Sequence, residues 1–314
     1  MQIYHSLDSI EKLKNAVVTS GTFDGVHIGH KKILTRLNEI SEQSGGESVV
    51  LTFWPHPRMV VSDSSQDLQL LSTIEEKITL FSALNIKHLA IIPFTRSFSE
   101  LSSLEFIQKI LVEKIGTKKL VIGYDHRFGK NREGSFEFLQ KNCALFGFEV
   151  EEISRQDIEA TAISSSRIRK ALLDGHVQEA NELLGRPYSI SGTIVKGKQL
   201  GRTIGFPTAN LLVQEAHKLI PANGVYVISA EYQNHIYAGM LNIGVRPTVD
   251  GVNRTIEANL FEFDKEIYGE ELTVNLLAYL RPEQKFSGLD ALMKQIEADK
   301  LSALNYFTNH PLSG

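Results

Sequence analysis

One cysteine, one tryptophan and four methionines in 314 residues leave no material for a disulfide framework. A single Cys143 cannot form an internal bridge, and it suits a reducing compartment. It falls in an apolar, helix-like stretch at residues 136–148, so a small buried side chain is expected there, not a nucleophile. No apolar run approaches the ~18 residues needed to cross a bilayer. The opening Met-Gln-Ile-Tyr-His lacks the basic-then-apolar layout of a secretory leader. Net charge is also low: 33 Lys and Arg against 37 Asp and Glu give −4, which is no footprint for nucleic acid or an anionic membrane. A cytoplasmic protein with neither of those partners is expected. Hydrophobic content of 42% and charged content of 22% are those of a globular protein, and 314 residues exceed one ordinary domain.

The hydrophobic rhythm divides the chain near residue 186. Before that point strand-like runs at 16–19, 48–53, 88–93, 119–122 and 148–153 alternate with helical patterns, clearest at 73–84, 101–115 and 135–146. Alternation of this kind predicts an α/β domain over 1–185, a Rossmann-like parallel sheet with ligands at the carboxyl ends of its strands. Short helical patterns follow at 165–173 and 177–184. After Gly185-Arg-Pro-Tyr188 come short β-rich runs at 189–195, 225–231, 236–243, 255–263 and 272–280, punctuated by glycine and proline. They predict an antiparallel barrel or sandwich in a second domain, 186–314. A long amphipathic helix over 289–307, with Leu289, Leu292, Ile296 and Leu301 as its apolar face, is expected to close the barrel.

The densest chemistry of the first domain lies in Gly21-Thr-Phe-Asp-Gly-Val-His-Ile-Gly-His30. A strand, a glycine turn and a helix N-terminus make an anion site, because free backbone N–H groups and the helix dipole face the turn. His27 and His30, three apart, share one face of the first helical turn. Gly25 and Gly29 let backbone approach a nucleotide closely. Three further segments should end in the same crevice. Thr52-Phe-Trp-Pro-His-Pro57 closes the second strand, Gly123-Tyr-Asp-His-Arg-Phe-Gly-Lys-Asn-Arg132 follows another, and Ile163-Ser-Ser-Ser-Arg-Ile-Arg169 opens a helix suited to phosphates. The histidine segment resembles the signature of the HxGH nucleotidyltransferases, which transfer a nucleotidyl group from ATP. That transfer rests on positioning and charge stabilisation, since an attacking phosphate is already ionised.

In the second domain Gly192-x4-Gly197-Lys198 imitates a P-loop, but Gln199 stands where Ser or Thr should hold a metal, and Pro207 follows where a helix is needed. A glycine-rich flap over phosphates is the better expectation, with Gly192, Gly197, Gly201 and Gly205 alongside Lys198 and Arg202. In Gly205-Phe-Pro-Thr-Ala-Asn210, Thr208 and Asn210 point to one side of an extended chain and offer neutral oxygens that suit Mg²⁺ held together with ATP. Glu257 lies among Ile256, Ala258 and Leu260 in a strand, where either a function or plain solvent-facing alternation accounts for a carboxylate.

From the histidine pair to the last helix, the chain resembles the bacterial bifunctional riboflavin kinase/FMN adenylyltransferases, the FAD synthetases. The motifs G-F-P-T-A-N, N-I-G-x-R-P-T, T-I-E and I-Y-G (Ile267-Tyr-Gly269) occur in the family's order. The resemblance implies ATP binding in the first domain by Gly21, Phe23, Asp24, Gly25, His27, Gly29, His30, Ser164, Ser165, Ser166 and Arg169. It implies flavin binding near Phe53, His56, Asp125, Arg127 and Phe128. In a riboflavin kinase-like barrel it implies nucleotide and flavin contacts from Gly192, Gly197, Lys198, Gly201, Arg202, Pro207, Asn242 and Arg281. There Thr208 and Asn210 would hold Mg²⁺ and ATP, and Glu257 would take the ribityl 5′-hydroxyl proton. The implied substrates are riboflavin, FMN and ATP. Four positions depart from the family's pattern: Ser166 for a usual Thr, Trp54 for an acidic residue, His126 for Phe and Asn259 for His. Rival expectations are a first domain that adenylylates another phosphate, which leaves the barrel unexplained, and a flavin-binding regulator, which needs no base.

Overall fold

The computed structural model describes residues 1–61, 68–154, 163–197, 201, 204–233, 235–248 and 251–312, with 246–248 and 251–253 described through their backbone. Lys198 and Arg202 lie outside the described residues. The chain forms two compact units, Met1–Ser165 and Ser166–Gly314.

In the first unit, β1 (Gln2–Tyr4), β2 (Ala16–Ser20), β3 (Glu47–Trp54), β4 (His88–Pro93), β5 (Thr117–Gly123) and β6 (Glu149–Ile153) form one sheet in the order β1-β4-β3-β2-β5-β6. All pairings are parallel. Every residue of β2 is buried, as a central strand covered on both faces requires. Its alternate side chains serve two cores. Val17 packs with Leu34 and Leu37 of α1 (Ile28–Gln43), and Val18 with Ile107 and Leu111 of the Phe106–Ile115 helix on the other face. From β2 the chain passes through α1 to β3 on one side, while β5 lies on the other. The carboxyl ends of β2 and β5 therefore flank a topological switch point, where α/β sheets bind ligands.

In the second unit, β7 (Tyr188–Val195), β8 (Ala209–Leu212), β9 (Gly224–Tyr232), β10 (His235–Thr248), β11 (Gly251–Leu260) and β12 (Glu271–Arg281) close an antiparallel barrel in the order β10-β11-β8-β7-β12-β9. β7 alternates strictly between buried and half-buried positions, whereas all but one residue of β9 is buried. The difference arises because the C-terminal helix Leu289–Asn309 covers part of the barrel's outer face, where Val227, Met240, Phe261, Ala278 and Ala303 share a core.

Three expectations need correction. β1 and β8 are strands that the sequence pattern did not show, since three or four residues carry little periodicity. The helices Ser165–Leu173 and Val177–Leu184, grouped by the sequence pattern with the first domain, fall in the second compact unit. Their ties are Asn181 Nδ2 donating to Leu276 O at 2.8 Å and Ala222 N to Leu172 O at 3.0 Å. The C-terminal helix turns Ile296, Asp299, Ala303 and Phe307 inward and leaves Leu301 61% exposed. An acidic residue occupies the inner face because Arg281 pairs with Asp299 there. Cys143 is half-buried, not buried, on the turn after the Phe136–Asn142 helix.

Candidate active sites

β2 ends at Ser20, and the next six residues turn back on themselves at a conformational cost. Phe23 and Val26 take left-handed φ of 46° and 39°, which L side chains adopt only when their surroundings compel it. Residues 70–81 supply that compulsion. The Asp24 carboxylate accepts from Leu71 N at 2.9 Å and Ser72 N at 3.2 Å, and Ser72 Oγ accepts from Gly25 N at 3.0 Å. Lys77, wholly buried, donates from Nζ to Thr22 O at 2.8 Å. Phe23 meets Phe81 edge to face. Asp24, expected among the ATP-binding residues, is 1% exposed, and its carboxylate, engaged by backbone amides, is a strut of the turn.

The strut delivers the two histidines. His27 is the N-cap of α1, and its Nδ1 accepts from His30 N at 3.3 Å, which puts the proton of a neutral His27 on Nε2. The two imidazoles stack with centroids 3.6 Å apart and planes 15° from parallel. His30 Nδ1 is sealed from solvent with no hydrogen-bond partner among the described residues. Burial, then His27, then Lys77 hold the His30 pKa well below its ordinary value. His30 is thus presented neutral beside His27 at the amino end of α1, where backbone N–H groups attract anions. Gly29 is buried in the first turn, and Gly21 packs against the Phe23 ring. Ser165 Oγ donates to Asp24 O at 3.0 Å, which ties this serine to the turn. Ser164 is exposed beside it. Ser166 and Arg169 lie on the helix that starts the second unit.

Across the switch point, Ser20 Oγ meets His126 Nε2 at 3.3 Å, linking the loops after β2 and β5. Burial, with Arg132 and Arg127 adding to it, lowers the His126 pKa to about 4. Below the unfolded value of 6.5 the unfolded chain takes up a proton that the folded chain refuses. Its contribution to stability is therefore complete above pH 6.5 and falls away as pH drops toward 4, by up to about 3 kcal/mol. Denaturant midpoints at pH 7 and pH 4.5 should show a smaller acid loss in His126→Phe than in the parent. Equal losses in both proteins would assign the effect to other groups.

The residues expected to meet flavin divide by exposure. Asp125 and Arg127 are exposed, and Phe53 is half-buried near the carboxyl end of β3, opposite Ile92 of β4, with Phe94 and Phe98 against it. Phe128 is only 8% exposed and packs on Phe106 and over Gly134, where any Cβ would strike its ring. It is a core side chain, not a stacking surface. His56 is buried and accepts from Arg58 N at 3.2 Å, opening the short helix Pro57–Val61.

In the second unit a cavity of about 320 Å³ opens between the barrel wall and the C-terminal helix. Its polar wall includes Thr208, Asn242 and Glu257, and its apolar wall includes Phe206, Phe286 and Ile296. Barrel register explains the polar wall. Asn242 of β10 lies opposite Glu257 of β11, which lies opposite Asn210 of β8, and residues opposite one another share a face. Thr208 Oγ1 stands 3.5 Å from Glu257 Oε2. Asn259, one of the departures, donates from Nδ2 to Pro207 O at 2.6 Å and so holds the Pro207–Asn210 segment; no sequence signal marked it for that part. Arg281 lines the cavity with its guanidinium bidentate to Asp299 at 2.9 and 2.6 Å.

The glycines of the expected flap separate into three jobs. Gly201 lines the cavity and accepts from Phe206 N at 2.8 Å in a turn that leaves no room for a side chain. Gly197 lies against the Asn210 amide, which a Cβ would overlap. Gly192 is not among the residues lining the cavity; it is buried in β7 against the Leu212 carbonyl of β8, where strand packing leaves no room for a side chain. Gly197→Ala should therefore displace the Asn210 amide and weaken binding of MgATP, the ligand that the resemblance implies at this position, by about tenfold, a loss of roughly 1.4 kcal/mol. Equilibrium titration with MgATP would read it, and an unchanged Kd would remove Asn210 from the implied nucleotide contacts.

Comparison with known proteins bears on both sites. A model of the FAD synthetase family matches residues 9–167, and a model of the riboflavin kinase family matches residues 184–307. A bifunctional riboflavin kinase/FMN adenylyltransferase of Listeria monocytogenes is 38% identical, covering 93% of each chain. Its Bacillus subtilis counterpart is 36% identical over 97% of this chain and 96% of its own. Among solved structures, one described as a macrolide-efflux protein of Streptococcus pneumoniae aligns with a TM-score of 0.88 and 33% identity, over 96% of this chain and 98% of that one. That description belongs to the Streptococcus protein; among the described residues here, no helix is long and apolar enough to cross a membrane.

Proposed function

The chain belongs to the bifunctional riboflavin kinase/FMN adenylyltransferase family, and from that premise we propose that the barrel cavity is its kinase centre and the histidine crevice its adenylylation centre. The enzyme makes FAD in two steps: riboflavin and ATP give FMN and ADP, then FMN and ATP give FAD and pyrophosphate. The observation that carries the assignment is Glu257, a carboxylate on a cavity wall flanked in register by two asparagines.

In the kinase centre the attacking group is a neutral hydroxyl and needs a base. With the flavin ring against Phe206, Phe286 and Ile296, the ribityl chain extends toward Thr208 and Asn242, and Glu257 takes the 5′-hydroxyl proton. The oxygen then bonds to the γ-phosphorus of ATP as the bond to ADP breaks. The Thr208 hydroxyl and the Asn210 side-chain carbonyl, beside the Glu257 carboxylate, are an all-oxygen donor set of the kind Mg²⁺ accepts. Bound with ATP, the ion would neutralise phosphate charge.

In the adenylylation centre the FMN phosphate attacks the α-phosphorus of ATP and pyrophosphate leaves, with no base required. His27 and His30, stacked and with His30 held neutral, donate to phosphate oxygens together with the backbone N–H groups of α1. Ser164 and Ser165, at the end of the first unit, serve the leaving pyrophosphate. The half-buried Phe53, Phe94 and Phe98 offer the flavin ring an apolar surface.

The purified protein, incubated with riboflavin, ATP and Mg²⁺, should yield FMN and then FAD on chromatographic separation of the flavins. Addition of excess chelator should stop both. FMN that never becomes FAD would remove the assignment of the first unit, and FAD formed only from supplied FMN would remove that of the barrel.

A further inference from the structure

Lys77 is the most deeply buried cation among the described residues, with no exposed surface, and no sequence motif includes it. A buried ammonium is costly unless it is bonded and faces a counter-charge. Lys77 has both: Nζ donates to Thr22 O at 2.8 Å, and the Asp24 carboxylate two residues along favours its charged form against the burial that opposes it. Thr22 O also accepts from Thr52 Oγ1 at 3.3 Å, so two donors from two elements hold this carbonyl.

We propose that Lys77 is a positioning residue of the adenylylation centre: its ammonium, together with the Thr52 hydroxyl, fixes the Thr22 carbonyl at the base of the strained turn that presents the stacked histidines. This rests on the reading of the histidine crevice given above. The titratable groups around His30 are few. His27 stacks on it from the same helix, Lys77 bears on it from the Ile74–Ala83 helix, and Asp24, in the intervening turn, tempers Lys77. Removal of Lys77 leaves His27 and burial as the remaining causes that resist protonation of His30. The same charge adds a positive potential behind an anion site, where desolvation makes it strong.

The test uses the full chain and reads His30 apart from turnover. Imidazole resonances of ¹⁵N-histidine protein are followed against pH in the parent, in Lys77→Met, and in Lys77→Gln, which keeps a donor but no charge. The His30 midpoint should rise in both variants, since the positive charge of Lys77 opposes protonation of His30. FMN adenylylation should fall at least tenfold and lose activity at higher pH than in the parent, while riboflavin phosphorylation by the same samples stays unchanged. A His30 midpoint identical to the parent in either variant overturns the proposal. A shifted midpoint with unaltered adenylylation would uphold the field of Lys77 but remove His30 from the reaction, so the two failures are distinguishable. Should Lys77→Met not fold, Lys77→Gln alone decides.

Discussion

Glu257→Gln should abolish FMN formation, a fall of about 10²–10⁴-fold, and leave the conversion of FMN to FAD at the parental rate. Glutamine keeps the volume of the side chain and its contact with Thr208, so the barrel register Asn242–Glu257–Asn210 should survive, and what disappears is the ability to receive a proton. A hydroxyl nucleophile cannot attack without losing that proton, whereas the phosphate of FMN has none to lose. The asymmetry between the two reactions is therefore the signature: rates measured separately from riboflavin and from FMN should diverge in this one variant. If riboflavin is still phosphorylated at a rate near the parent's, the carboxylate is no base and the solvent-facing alternative for Glu257 gains ground.

The second large effect runs the other way. His30→Ala should lower FMN adenylylation by about 10²–10³-fold, the cost of a preorganised donor to developing charge, while FMN formation continues. His30 also sets an expected pH dependence. Its pKa lies well below the ordinary value of 6.5, chiefly through burial, so the neutral ring persists at pH values where an exposed histidine is already charged. Adenylylation should then remain level as pH falls through 6.5 and decline only in more acid solution. Conversely, the stability owed to this neutral histidine is complete above 6.5 and diminishes below it, because the unfolded chain takes up the proton first. An inflection at about 6.5 that vanishes in His30→Ala would contradict the buried, neutral assignment.

Much of this organisation is legible before any coordinates. Continuous apolar runs such as Ala16-Val17-Val18 mark strands covered on both faces, and the span from β2 to β6 follows the periodicity closely. The barrel's long strands are equally plain, because alternation over eight or more residues has one reading. The histidine pair announces its helix start, and the structure adds that His27 itself is the cap. What escapes the sequence is whatever depends on contact between distant segments. Asp24 looks like a ligand and is a strut, since its amide partners Leu71 and Ser72 lie 47 and 48 residues away. Lys77 looks like one more surface lysine of an amphipathic helix. Phe128 lies in a cationic loop that reads as a binding surface, yet the ring is drawn into the core against Phe106. Gly192 and Gly197, identical in the flap pattern, part company because one faces a backbone carbonyl and the other an asparagine amide. Asn259 shows its purpose only once β11 brings it to the Pro207 carbonyl.

The claim of two separate centres in one chain is tested most directly by complementation. Glu257→Gln and His30→Ala proteins are each supplied with riboflavin, ATP and Mg²⁺, alone and as an equal mixture, and the flavins are separated over time. Glu257→Gln alone should leave riboflavin untouched, His30→Ala alone should stop at FMN, and the mixture should reach FAD. FAD from riboflavin in either variant alone would contradict the assignment of the two centres.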